Sequence, residues 1–123
     1  MRKVKVLLVG PAALAQLIGH LFRSKSDFEI VGRVGQLRDL PSSSVHSPAL
    51  IVANVKPIGA GVVPTIASIK KFSPSSKLIL ICPVREFARG ALAHGADACL
   101  DQEKLVFHLL PTARGLSRNR IRH

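Results

Sequence analysis

The chain contains no tryptophan and no tyrosine, and only five phenylalanines among its 123 residues. Any core must therefore be aliphatic, and the 47% hydrophobic content is enough to fill one ordinary domain. The same lack removes the aromatic platforms on which unpaired bases stack, so base-specific RNA reading is not expected. No apolar run approaches the roughly 20 residues that span a bilayer, which excludes a membrane helix. The start MRKVKVLLVG is basic and then apolar, like a signal peptide, but Lys5 interrupts it and Gly10-Pro11 ends it. It reads as a first strand, and the chain as cytoplasmic. Two cysteines, Cys82 and Cys99, lie in apolar stretches without CxxC spacing. They read as reduced core thiols rather than zinc ligands or a disulfide framework. The histidines show no HxxxH spacing, so no metal is expected. VGPAALA (9–15) is neither GxGxxG nor a P-loop, and no catalytic dyad stands out, so neither a cofactor nor an enzyme is expected.

Acid is also scarce. Seven Asp and Glu face eighteen Lys and Arg, a formal charge of +11. Arg114, Arg118, Arg120 and Arg122 crowd a C-terminal stretch with no acid at all. Basic chains are drawn to nucleic acid, anionic lipid or acidic proteins, and charge alone does not choose between them.

What is present alternates in kind. VKVLLVG (4–10), FEIVGRV (28–34), ALIVAN (49–54), KLILIC (77–82) and DACLD (97–101) are short apolar runs that suit strands. Between them, AALAQLIGHLFR (12–23) sets Leu14, Leu17, Ile18, Leu21 and Phe22 at helical spacing. QLRDLPSSSVHS (36–47) holds only a short helix before Pro41. IGAG (58–61) reads as a loop, and Pro64 starts a helix through Ile66, Ile69 and Phe72. REFARGALAHG (85–95) reads as a helix with Phe87, Ala88, Ala91 and Leu92 inward and Gly95 as its cap. EKLVFHLL (103–110) is a last helix that Pro111 should end or kink. Strands alternating with helices predict an α/β fold: a doubly wound, five-stranded parallel sheet in a (βα)5 three-layer sandwich of flavodoxin-like type. Ligands in such folds bind at the C-terminal strand ends, here Gly10-Pro11, Val34-Gly35, Asn54, Cys82 and Asp101-Gln102.

Three segments carry a more specific likeness: SDFEIVGRVG (26–35), SPALIVANVKP (47–57) and GALAHGADACLDQ (90–102). In this order and spacing the chain resembles a receiver domain of bacterial two-component response regulators, over roughly residues 3 to 110. The resemblance divides the chain into a receiver-like domain, 1–112, and a basic tail, 113–123. It also implies where chemistry should lie. Receivers close the first strand with two acids that bind magnesium and the third with a phosphoryl-accepting aspartate. A Ser or Thr closes the fourth strand and a lysine the fifth. Here those positions hold Gly10 and Pro11, Asn54, Cys82 and Gln102, and the switching aromatic falls on Cys99. The loop after the third strand is one residue shorter than the pattern.

An acyl phosphate needs a carboxylate nucleophile, and a neutral amide oxygen is a very poor one. Magnesium needs hard anionic oxygens to offset the cost of shedding water. Only Asp101 stays near the pocket. The expected protein is a degenerate receiver that does no phosphotransfer and acts by protein contacts, with Asn54 capping a strand end. The resemblance places the partner or homodimer face at about residues 85–110. Lys56 is a candidate anion contact beside the first helix. Arg114, Arg118, Arg120 and Arg122 are candidate non-specific nucleic-acid contacts on a mobile tail. Cys82, near basic residues at a strand mouth, reads either as an inert buried thiol or as a redox-sensitive one with lowered pKa.

Overall fold

Runs of Val, Leu and Ile form strands here because both sheet faces are covered, so no position need be polar. The strands are β1 (Val4–Val9), β2 (Phe28–Val34), β3 (Leu50–Asn54), β4 (Lys77–Cys82) and β5 (Ala98–Asp101). The helices are α1 (Ala12–Arg23), α2 (Val62–Phe72), α3 (Ala88–Ala93) and α4 (Leu105–Ile121). Short 3₁₀ turns occupy Leu37–Ser42 and Gln102–Lys104. The computed structural model describes residues 3–23, 27–42, 48–54, 62–82 and 88–121. All strand pairs are parallel, and the order is β2-β1-β3-β4-β5. This is the flavodoxin-like arrangement expected, with β5 at one edge.

The alternation of side chains along each strand splits the core in two. Leu7, Val9, Ile51, Ala53, Leu78 and Leu80 face α2 and α3, where Ile66, Ile69 and Ala91 meet them. Val6, Leu8, Leu50, Val52, Ile79 and Ile81 face α1 and α4, meeting Ile18, Phe22, Leu105 and Leu109. Each fully buried Leu or Ile contributes about 1.5–3 kcal/mol against exposure. With so few aromatics, one ring pair stands out: Phe22 of α1 stacks on Phe28 of β2, centroids 4.7 Å apart. At the N-terminal end of the sheet, Asp97 accepts from the Leu78 amide at 2.7 Å and pairs with Lys70 at 3.4 Å.

Three expectations need correction. Pro111 neither ends α4 nor confines it to residue 110, because the helix runs on to Ile121. Leu105, Leu109 and Ala113 recur every fourth residue and are fully buried. That stripe outweighs the roughly 3 kcal/mol cost of an internal proline. The boundary expected at 112/113 therefore falls inside a helix. The mobile tail is corrected as well: Arg114 donates to Asp27 at 3.2 Å, and Leu116 packs on the core. Leu92 and Leu17, expected inward, are exposed, since Ala91 fills the space under α3 and Leu14, Ile18 and Phe22 already complete the inner stripe of α1. Phe87 lies outside the described residues.

Candidate functional site

Register assembles the strand ends into a stepped row. Val9 pairs with Ala53, Asn54 with Ile81, and Cys82 with Asp101. Gly10 thus stands beside Asn54, Asn54 beside the end of β4, and Cys82 beside the end of β5. Of the residues read from the sequence as a pocket, Gly10 lies against Asn54, while Asn54 and Cys82 share the same rim through strand register.

Gly10 is where β1 turns into α1. It is buried and has φ +150°, a value side-chain-bearing residues rarely adopt. Its amide donates to the Val34 carbonyl at 2.9 Å, and its carbonyl accepts from Arg33 Nη1 at 3.0 Å. A Cβ there would stand 3.1 Å from Leu14 Cδ2 and 3.2 Å from Asn54 Cβ. An acid at this position therefore meets both strain and crowding. Gly10→Asp should destabilise the protein by roughly 2–4 kcal/mol, combining backbone strain and overpacking. Urea unfolding checks this, and an unchanged midpoint would refute the crowding.

Pro11 follows, exposed, and its carbonyl accepts from the Leu14 and Ala15 amides at 3.0 and 3.2 Å, which starts α1. Asn54 is half-buried at the end of β3. None of the described residues hydrogen-bonds its amide side chain. Lys56, the candidate anion contact, lies outside the described residues.

Cys82 is 1% exposed, and its Sγ stands 2.6 Å from the Sγ of half-buried Cys99. Both are free thiols. Burial, and then the hydrogen bond and charge of Cys99, push the Cys82 thiol up to about 12. The lowered-pKa reading of Cys82 is corrected: among the described residues the causes acting on it, burial first, all raise it. The sequence reading missed that the two thiols touch. Counting strand register would have placed them on one face.

Asp101 does not serve the pocket. Its Oδ1 accepts from the Glu103 amide at 2.9 Å and the Lys104 amide at 3.3 Å, capping the turn into α4. An Asp one polar turn ahead of the apolar-periodic run from Leu105 was the sequence signal for this cap. Gln102 is exposed beside it. Among the described residues no group of three or more His, Cys, Asp or Glu can hold a metal ion.

Two further features flank β5. Leu92 on α3 is 50% exposed, while Val106 and Phe107 on α4 are 53% and 75% exposed. The sequence reading put the partner face here without naming Phe107. Helical spacing from Leu105 and Leu109 leaves position 107 outward. Of the basic cluster, Arg114 is paired with Asp27, the Arg118 and Arg120 backbones lie in α4, and Arg122 lies outside the described residues. An open groove of about 610 Å³ lies between the Leu37–Ser42 turn and α2, lined by Arg38, Leu40, Pro41, Ser68, Lys71 and Phe72. It contains none of the strand-end residues. No described helix is long and apolar enough to cross a membrane.

No family model matches the chain, and no curated protein matches it in sequence. Solved structures do match in fold. A LuxR-family DNA-binding response regulator from Staphylococcus aureus superposes with a TM-score of 0.75 at 18% identity, over 92% of this chain and 98% of that one. A response regulator receiver domain protein from Clostridium thermocellum gives 0.75 at 16% identity, over 98% and 99%. The response regulator domain of Thermotoga maritima CheB gives 0.73 at 16% identity, over 94% and 96%. The fold is that of response regulator receiver domains.

Proposed function

We propose that this chain is a receiver-fold signalling protein that works without phosphorylation, through protein contacts made by the edge of α3, β5 and α4. The observation that carries the reading is the row of strand ends. By the resemblance, Gly10, Pro11, Asn54, Cys82 and Gln102 fall at the positions of a receiver's acids, hydroxyl and lysine, and the Asp101 carboxylate is committed to a cap. Asn54 offers no carboxylate to accept a phosphoryl group. Magnesium finds no acidic pair at the end of β1, where Gly10 packs against Asn54 instead.

A protein without chemistry at its strand mouths needs another means of action. Support for an interaction surface comes from Leu92, Val106 and Phe107, large apolar side chains left in water around an edge strand. Arg89 on α3 and Lys104 in the turn just before α4 favour a partner with acidic residues at its rim.

The doubly substituted protein Leu92→Glu/Phe107→Glu should fold with stability within about 0.5 kcal/mol of wild type, because both sites are exposed. It should lose self-association, or capture of the native partner from cell extract, by at least about tenfold, while Asn54→Ala keeps it. Sedimentation and quantitative pull-down measure the two arms. Equal association by the double variant, or loss in Asn54→Ala, would overturn the assignment.

A second reading draws on the charge of +11 and on α4, whose backbone carries Arg118 and Arg120 beyond the core-packed Leu116. A basic helical end of this kind suits phosphate contacts that ignore sequence.

A further inference from the structure

We propose that Cys82 and Cys99 form a dithiol that hydrogen peroxide converts to an intramolecular disulfide, and that thiol reductants reverse. The two lie on neighbouring parallel strands. Cys99 is level with Leu80, and Cys82 follows Leu80 by two residues, so both side chains leave the same face of the sheet. Their sulfurs stand 2.6 Å apart. A disulfide bond is about 2.05 Å long, so closing it moves the sulfurs by roughly half an ångström. A diagonal pair, typically about 7–8 Å apart at Cα, lies beyond the roughly 4.4–6.8 Å that disulfides prefer, so one strand must yield. That strand is β5, four residues long, at the sheet edge and paired only with β4.

The burial of the two thiols assigns their roles. Cys99 is half-buried and meets the oxidant, while Cys82 is sealed at 1% exposure. The Cys99 sulfur attacks one peroxide oxygen; the S–O bond forms, the O–O bond breaks, and the departing oxygen leaves as water with the thiol proton. Cys82 sulfur then attacks the sulfenic sulfur; the S–S bond forms, the S–O bond breaks, and a second water leaves with the Cys82 proton. Two electrons pass from the sulfur pair to one peroxide. The high pKa of Cys82 agrees with this order, since it holds that thiol protonated until its neighbour has reacted. Two of the causes raising it, the hydrogen bond and the charge of Cys99, change when Cys99 becomes sulfenic acid. No third sulfur, imidazole or carboxylate among the described residues joins the pair to make a metal site. The dithiol stands independently of any partner on α3, β5 and α4.

The test uses the full chain, treated with hydrogen peroxide and then unfolded in an alkylating agent. Wild type should lose both alkylatable thiols and about 2 Da in a monomeric species, and dithiothreitol should restore both. Thiol counting accompanies the mass because Met1 also takes up oxygen. Cys99→Ser should leave Cys82 alkylatable, showing that the buried thiol does not react alone. Cys82→Ala should leave Cys99 as a sulfenic acid that dimedone traps; circular dichroism confirms that each variant is folded. If the Cys82 variant does not fold, the wild-type digest decides, through a cross-linked peptide containing both cysteines. Two free thiols after oxidation, a sulfinic acid at Cys99 beside a free Cys82, or a disulfide joining two chains would each overturn the proposal.

Discussion

Pro111→Ala should make the protein more stable, by about 2 kcal/mol, even though it removes an exposed residue that touches no core. The residue sits in the interior of α4, six positions after the helix begins at Leu105. It has no N–H for the Phe107 carbonyl one turn earlier, and its ring crowds that carbonyl. An internal proline costs roughly 3 kcal/mol relative to alanine, of which about 1 returns through the stiffer unfolded chain. The companion experiment has the opposite sign. Leu109→Ala, two residues away and fully buried, should cost about 2–5 kcal/mol through lost burial and a cavity. Urea denaturation of both variants measures the pair. A destabilised Pro111→Ala protein would mean that the proline holds a needed bend, and the continuous packing of Leu105, Leu109 and Ala113 would need another explanation.

Neutralising Arg118, Arg120 and Arg122 together as glutamines should largely abolish attraction to duplex DNA. If each arginine meets one phosphate, the log–log salt slope flattens by about 0.9 per contact, or about 2.7 for three. At low salt this amounts to a loss of affinity of at least about tenfold for duplexes of any sequence. Substitution is preferable to truncation. Cutting at residue 114 would also remove the Arg114–Asp27 pair and the packing of Leu116, and would confuse binding with folding. Arg114 is left in place because its partner already occupies it. Fluorescence anisotropy with unrelated duplexes at several salt concentrations reads the slope. Binding by wild type that persists unchanged at high salt, or no binding at low salt, would assign the basic charge another purpose.

Much of this molecule was legible in its sequence because the signals were local and repeated. Strands buried on both faces write themselves as Val-Leu-Ile runs, and Ile51 or Ile79 needs no tertiary knowledge to be placed inside. The strand-end residues were also legible, since alternating elements fix which ends share a rim. What escaped was set by contacts distant in sequence. Pro111 reads as a helix stop until Leu109 and Ala113 are seen pressed on the sheet. Arg114 reads as tail until Asp27, 87 residues away, turns up against it. Cys82 and Cys99 read as two unrelated core thiols, because only the β4–β5 register makes them neighbours. Asp101 reads only as an acid left near the pocket, and its binding to two backbone amides of its own turn appears only in the structure.

Whether this receiver fold carries phosphotransfer is read from the intact mass of the protein after incubation with acetyl phosphate and magnesium. A phosphorylatable receiver treated alongside shows that the donor is active. With Asn54 at the end of β3 and Gly10 packed against it, the mass should stay unchanged at every incubation time. A stoichiometric gain of one phosphoryl group would contradict this.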